Sequence, residues 1–461
     1  MATLSLFRSP GGDRTISRGS LWVVIAALST SAGCADANHA AEVQLSAAQC
    51  RAAAPWTDWT AYAAGAVVTY GGAVYQCAQA HTSQPDWTPP GVPALWNVGI
   101  CEGGGSGDSG GGTGGGTGSG GDAGNGGGGT GNGSGLVFGA YKDTSIQLDW
   151  NTNVISTLVS GTRTDLASDL AANGGHTITL AFATGECGSE SWGGVPGAAM
   201  AAANVPRLTG AGVQYILSTG GAAGSFTCSS DAGFMTFVDR WASPNLIGID
   251  FDIEAGQSQA VIADLIRRLE VAHAAYPGLR FSLTLATLAN NSGASTAQPL
   301  GASVADSFNV YGDWTIAAVR STLGFTGAPA SWPSYLTINL MTMDYGAPGP
   351  GVCVVSGGVC DMGQSAIQAA YNLRDKFGVP LSHVELTPMI GGNDVASEHF
   401  TLADTDAMAR FAIANGLAGV HYWSYDRDVD CPVGSASPIC NSLGGVGAHG
   451  FLRRFLGAGL R

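Results

Sequence analysis

The sequence predicts an α/β protein in which a (β/α)8 barrel follows a small all-β unit. Three observations carry that expectation. Residues 103–135 are almost wholly Gly, Ser, Thr, Asn and Asp, a composition that forms no core and behaves as a flexible coil between folded units. From residue 136 to 461, eight apolar runs alternate with stretches whose apolar residues recur every three or four positions. Residues 46–101 instead hold short alternating runs, turn signals and many aromatics.

The N-terminus comes first. Arg8, Arg14 and Arg18 precede "LWVVIAAL" (Leu21 to Leu28) and the small residues "STSAGC", the layout of an export signal over residues 1–34. That apolar run is too short to cross a bilayer as a helix. Cys34 after Ala32-Gly33 is similar to a bacterial lipobox, which would make Cys34 a lipid-anchored mature N-terminus, although Ser31 departs from the usual large aliphatic. Cleavage after "ADA" (Ala35 to Ala37) is the alternative. Either way the expected location is extracellular, secreted or held at the bacterial surface. Ten cysteines fit an oxidising compartment: Cys50 and Cys101 bracket the small unit, and Cys187 with Cys228, Cys353 with Cys360 and Cys431 with Cys440 are expected disulfides. A zinc site is the rival, but no CxxC pair or His cluster accompanies these spacings. The net charge of −15 argues against nucleic acid and anionic membranes as partners.

In the small unit, "AVVTY" and "AVYQC" flank Gly71-Gly72 and read as a hairpin. Trp56, Tyr62, Tyr75 and Trp96 are the expected core aromatics. Trp87 lies in the turn-rich "SQPDWTPPG", where an indole stands exposed and can stack on a sugar ring; the alternative is that it fills the small core.

The barrel strands read "LVFGAY", "TITLAFAT", "VQYILSTGG", "LIGIDFDIE", "RFSLTLATL", "TINLMTMDYG", "VELTPMIGG" and "GVHYWSYD". Helical patterns such as "SQAVIADLIRRLEVAHAAY" and "SAIQAAYNLRDKFG" lie between them. Such alternation is that of a TIM barrel, whose chemistry sits at the strand C-termini. An open doubly wound sheet is the alternative, but no Gly-rich phosphate loop follows the first strand. On the fourth strand, Asp250, Asp252 and Glu254 occupy every second position, so all three carboxylates share one face while Ile249, Phe251 and Ile253 take the other. Crowded carboxylates relieve their repulsion by keeping one protonated. Glu254, nearest the mouth, is the expected acid. His421 is expected to be a satisfied barrel histidine.

Two resemblances build on these residues. The run "YQCAQAHTS…WTP…PALW" resembles a chitin-binding module of carbohydrate-binding families 5 and 12. The resemblance implies that Trp87 stacks on chitin, with His81, Thr82, Pro89 and Pro93 beside it, and that Cys77 is a buried thiol outside any bridge. The fourth strand resembles the DxxDxDxE signature of glycoside hydrolase family 18, with support from "STGG" (218–221), "MTMDYG" (341–346), "ELTPMIGGND" (385–394) and "GVHYWSYDRD" (419–428). That resemblance implies a bacterial chitinase in which Glu254 protonates the glycosidic oxygen and the substrate's own 2-acetamido oxygen attacks, with retention. Asp252 would orient the acetamido N–H, and Asp250 would share a proton with Asp252. Asp344 and Tyr345 would contact the N-acetyl group, Met341 would line its pocket, Trp423 would floor the distorted sugar, and Trp192 would offer a stacking platform. No metal and no cofactor is implied.

Two positions depart from the pattern. Ile247 replaces the first Asp of the signature, and Met343-Asp344-Tyr345 stands where many members have Tyr-Asp. The expected function is therefore hydrolysis of β-1,4 N-acetylglucosamine linkages by a monomer acting on chitin or its oligomers. The alternatives are a non-catalytic chitin-binding lectin and an endo-β-N-acetylglucosaminidase acting on glycans.

Overall fold

The computed structural model describes residues 42–57, 60–78, 81–83, 89, 95–101, 135–254, 256–324, 331–432 and 436–461. The expected export segment with Cys34, the Gly-rich stretch up to residue 134, Trp87 and Pro93 lie outside the described residues.

In the small unit, a sheet runs in the order Glu42–Leu45, Trp96–Cys101, Ala73–Cys77, Val67–Tyr70, Ala54–Pro55. The hairpin at its centre pairs Tyr70 with Ala73. Gly71 and Gly72 both take the left-handed backbone, at φ 57° and 84°, which a two-residue hairpin turn requires. Val68, Tyr75, Cys77, Leu95 and Trp96 form the core, and Trp56 and Tyr62 pack on it, as expected. So small a core is supplemented by the Cys50–Cys101 disulfide, whose 51-residue separation gives about 4 kcal/mol in the chain-entropy account. Cys77 is buried and belongs to no disulfide. His81–Thr82 form a short strand against Ala61–Tyr62, and Pro89 is buried.

The second unit is the closed parallel barrel. Its strands are β1 (Val137–Asp143), β2 (Thr177–Glu186), β3 (Gln214–Gly220), β4 (Leu246–Ile253), β5 (Arg280–Ala286), β6 (Leu336–Met341), β7 (Val384–Thr387) and β8 (Gly419–Tyr422). Each pairs with the next, and β8 pairs with β1 to close the ring. All eight runs read from the sequence are strands. The helices that follow them are α1 (Leu166–Ala172), α2 (Gly197–Gly210), α3 (Asp231–Trp241), α4 (Gln259–Ala275), α5 (Val310–Thr322), α6 (Met362–Phe377), α7 (Leu402–Asn415) and α8 (Gly450–Gly457).

Side-chain caps fix where most helices begin. Ser258 accepts from the Val261 N–H at the start of α4, Asp361 from Gln364 at α6, and Thr401 with Asp404 forms a capping box at α7. Ile249, Phe251 and Ile253 of β4 face outward into the helix layer and are buried to 1 % exposure or less. Each contributes roughly 1.5–3 kcal/mol through burial.

The floor of the barrel is polar and closed. Glu385, the second residue of β7, bonds to Arg280 at the start of β5, to Thr337, and to His421 Nε2 at 2.8 Å. Burial alone would raise the Glu385 pKa, but Arg280 and His421 outweigh it and hold the carboxyl at about 2. His421 is thus the satisfied barrel histidine expected from the sequence, its Nδ1 lying 3.2 Å from the Gly139 carbonyl. The other three disulfides, Cys187–Cys228, Cys353–Cys360 and Cys431–Cys440, all brace loops that leave the C-terminal ends of the strands.

Candidate active site

A cavity of about 330 Å³ opens at the C-terminal mouth. Asp252, Glu254, Met341, Asp344 and Trp423 line it, as the sequence led one to expect. Strand alternation delivers the carboxylates: Asp250 is fully buried, Asp252 is 5 % exposed, and Glu254 emerges just past the end of β4. Gly220 of "STGG" makes this approach feasible. Its φ is +91°, and a Cβ there would sit 2.2 Å from the Asp252 carbonyl oxygen.

Asp250 is enclosed by hydroxyls. Ser282 and Thr284 each donate to its Oδ1 at 2.6 Å, while Ser218 at 2.6 Å and Tyr141 at 3.0 Å donate to its Oδ2. Asn339 ties the cluster together, donating to Tyr141 at 2.8 Å and Thr284 at 2.9 Å and accepting from Thr387 at 2.8 Å. Burial pushes the Asp250 pKa up although these hydroxyls oppose it.

The proton is shared one step higher than the sequence suggested. Asp250 has its oxygens occupied by hydroxyl donors, so Asp252 pairs with Glu254 rather than with Asp250. Burial, then the charges of Glu254 and Asp250, push Asp252 well above the usual carboxylate range, so it donates to Glu254. Burial also raises Glu254; the Asp252 hydrogen bond pulls it down and the Asp344 charge pushes it up. Asp252 Oδ1 accepts no hydrogen bond among the described residues. A buried acceptor aimed into a cavity suits a donor supplied by a ligand.

Trp423 forms part of the wall and stacks on Phe182, with ring centroids 5.6 Å apart and planes at 21°. Two expected site residues are elsewhere. Trp192 is no stacking platform: it is fully buried on a short strand beside β2, its ring 4.9 Å from Trp241. Tyr345 is 4 % exposed and absent from the cavity wall. The reason is that β6 ends at Met341 and Asp344 takes a left-handed φ of 50°, so strand alternation does not extend to Tyr345. Its backbone N–H instead donates to Glu398 at 3.0 Å. Met343, next to Met341 on the chain's inward side, also reaches the cavity.

Tyr141, Phe182, Thr284, Asp394 and Arg427 also line the cavity and were not singled out from the sequence. Tyr141 and Thr284 carried a usable signal, since they are inward positions towards the C-terminal ends of β1 and β5. Asp394 and Arg427 carried none beyond membership of the quoted motifs, because both follow the ends of their strands. No group of His, Cys, Asp and Glu among the described residues is arranged to hold a metal.

Fold and site together define a class: a (β/α)8 barrel with a buried carboxylate row rising into a mouth cavity, preceded by a small β module. Residues 55–97 match carbohydrate-binding module family 5/12. The barrel has the fold of active domain 2 of a chitinase from Pyrococcus furiosus, at 22% identity and a TM-score of 0.50, covering 70% of this chain and 94% of that one. Among curated proteins, Chitinase D of Niallia circulans is 38% identical over 135 residues, 29% of this chain and 22% of that protein. Streptogrisin-C of Streptomyces griseus is 73% identical over 41 residues, 9% of each. The chain thus spans about a fifth or less of the length of these curated relatives. The likeness to chitinases drawn from the sequence is borne out.

Proposed function

We propose that the protein is a chitinase, hydrolysing β-1,4 linkages after N-acetylglucosamine by a substrate-assisted, retaining route. The observation that carries this reading is the Asp250–Asp252–Glu254 row, which ends with two carboxyls side by side in the mouth cavity, both raised first by burial. Glu254 is the general acid. When a sugar enters, Asp252 passes the shared proton to Glu254 and, now a carboxylate, accepts from the acetamido N–H, for which its Oδ1 is open. Glu254, raised by burial, then holds that proton for the leaving oxygen. The acetamido oxygen attacks the anomeric carbon, and Glu254 afterwards takes a proton from water. The charge of Asp250, fixed in its shell of hydroxyls, favours a proton on Asp252.

Trp423 supplies the apolar floor, and Met341 with Asp344 lines the acetamido side. Tyr345 and Trp192 have no part in the site. Residues 46–101 form the module that holds the enzyme on insoluble chitin through Trp87, with His81, Thr82, Pro89 and Pro93 nearby, and residues 103–135 join it to the barrel. Export across the membrane, by cleavage or by lipid anchoring at Cys34, fits the four disulfides. The protein acts as a monomer. The test is to follow N-acetylglucosamine oligomers by proton NMR in the first minutes of reaction. The β-anomer should appear first; initial release of the α-anomer rules out the route, and binding without cleavage makes the protein a lectin. Cleavage of an N-glycan in preference to the oligomers makes it an endo-β-N-acetylglucosaminidase.

A further inference from the structure

Arg427 is the one cation lining the cavity among the described residues, and its side chain is buried, at 1 % exposure. Its guanidinium is turned to backbone. Nε and Nη2 donate to the Ile390 carbonyl at 3.3 and 2.9 Å, Nη2 also donates to Gly392, and Nη1 donates to Ser437. Ile390 and Gly392 belong to the loop after β7, which brings Met389 and Asp394 to the cavity. Ser437 belongs to the loop after β8 that the Cys431–Cys440 disulfide closes, and Ala436, Ser437 and Pro438 are cavity wall. The two loops also meet through backbone: Gly392 N–H donates to Asn441 at 2.9 Å. Gly391, at φ +77°, passes so close that a Cβ would lie 1.9 Å from the Asn441 oxygen.

We propose that Arg427 is a positioning residue that locks residues 436–440, tethered by the Cys431–Cys440 disulfide, onto the loop after β7, and that the wall so fixed sets how tightly the cavity holds its sugar chain. The proposal rests on the chitin-oligomer reading of the site. Its physical basis is the planar fork. A guanidinium satisfies three carbonyls from two loops at fixed angles, whereas an ammonium is a point charge on a flexible stem. A wall that touches the sugar equally in ground and transition states affects KM and leaves kcat alone.

The test compares wild type, Arg427→Lys, Arg427→Met, the Cys431→Ser/Cys440→Ser pair, and that pair combined with Arg427→Met. Oligomer hydrolysis is measured in each, and a broad-specificity protease probes the loop, with fragments read after reduction. Both Arg427 variants should raise KM by about tenfold with kcat within about threefold. Loss of the disulfide should raise KM less, and the combined variant should be no worse than Arg427→Met alone, since both act through one loop. Cleavage within 431–440 should appear in Arg427→Lys and not in wild type. Arg427→Lys behaving as wild type, a fall in kcat at constant KM, or additive effects would each overturn the proposal. If Arg427→Met does not fold, Arg427→Lys and the disulfide variant still decide it. An inactive wild type would count against the functional reading alone, because the loop's protease sensitivity is read without substrate.

Discussion

Two ends of one barrel treat the same chemical group in opposite ways. At the floor, Glu385 is fully sequestered yet held ionised near pKa 2 by Arg280 and His421. At the mouth, Asp252 and Glu254 are raised, with burial the leading cause and no cation among the described residues paired with either. Burial penalises the charged form at both ends. Partner chemistry decides the outcome: a floor carboxylate is neutralised by cations and becomes part of the framework, whereas the mouth carboxyls have mainly one another and must keep a proton. A group held in a costly state is the one available to a reaction.

That contrast can be broken most severely at Glu254. Glu254→Gln keeps the shape but cannot deliver a proton, so turnover of N-acetylglucosamine oligomers should fall by at least ~10²–10⁴-fold. Oligomer binding, followed by tryptophan fluorescence, should persist. Near wild-type turnover would remove Glu254 from the mechanism.

The matching change at the floor should reverse the pattern. Glu385→Gln leaves Arg280 without its counter-charge and His421 without its carboxylate partner, and should cost about 3–5 kcal/mol of stability, read from denaturant midpoints. Turnover per folded molecule should change little. If activity collapses while stability holds, the floor is coupled to the chemistry and the two ends are not distinct.

The two ends should also differ in the sign of their pH dependence. Glu385 has a depressed folded pKa, so its stabilisation is present above the ordinary Glu value of about 4.3 and is lost as pH falls from there to about 2. Asp252 has a raised folded pKa, so the fold is favoured with Asp252 protonated and loses that advantage as pH rises through the raised value. Asp252→Asn cannot ionise and should melt higher than wild type by a margin that grows with pH, while Glu385→Gln should flatten the acid limb. Parallel pH profiles for both variants and wild type would contradict the assignment.

The smallest expected effect lies outside the barrel and should move neither end. Trp87→Ala should weaken adsorption to insoluble chitin by roughly 1.5–3 kcal/mol, about tenfold or more, with oligomer hydrolysis unchanged. A module that unfolds instead would make Trp87 a core residue. Undiminished adsorption by a folded module would move the binding face elsewhere on the module.

Periodicity alone placed the eight strands, because inward and outward positions on a buried parallel strand differ in chemistry every second residue. It therefore also aligned Asp250, Asp252 and Glu254 on one face. Cysteine spacing anticipated the bridged loops, since short closed loops are a local property. Where the chain left regular structure, the pattern stopped carrying information. Tyr345 was misassigned because Asp344 turns the backbone, and Trp192 because a tryptophan in a loop looks the same in sequence whether it faces solvent or Trp241. The pairing of Asp252 with Glu254 rather than Asp250 depends on hydroxyls contributed by β1, β3 and β5. The wall held by Arg427 depends on two loops far apart in the chain. Such contacts are set by how the closed ring brings distant strand ends together, and local sequence holds no record of that distance.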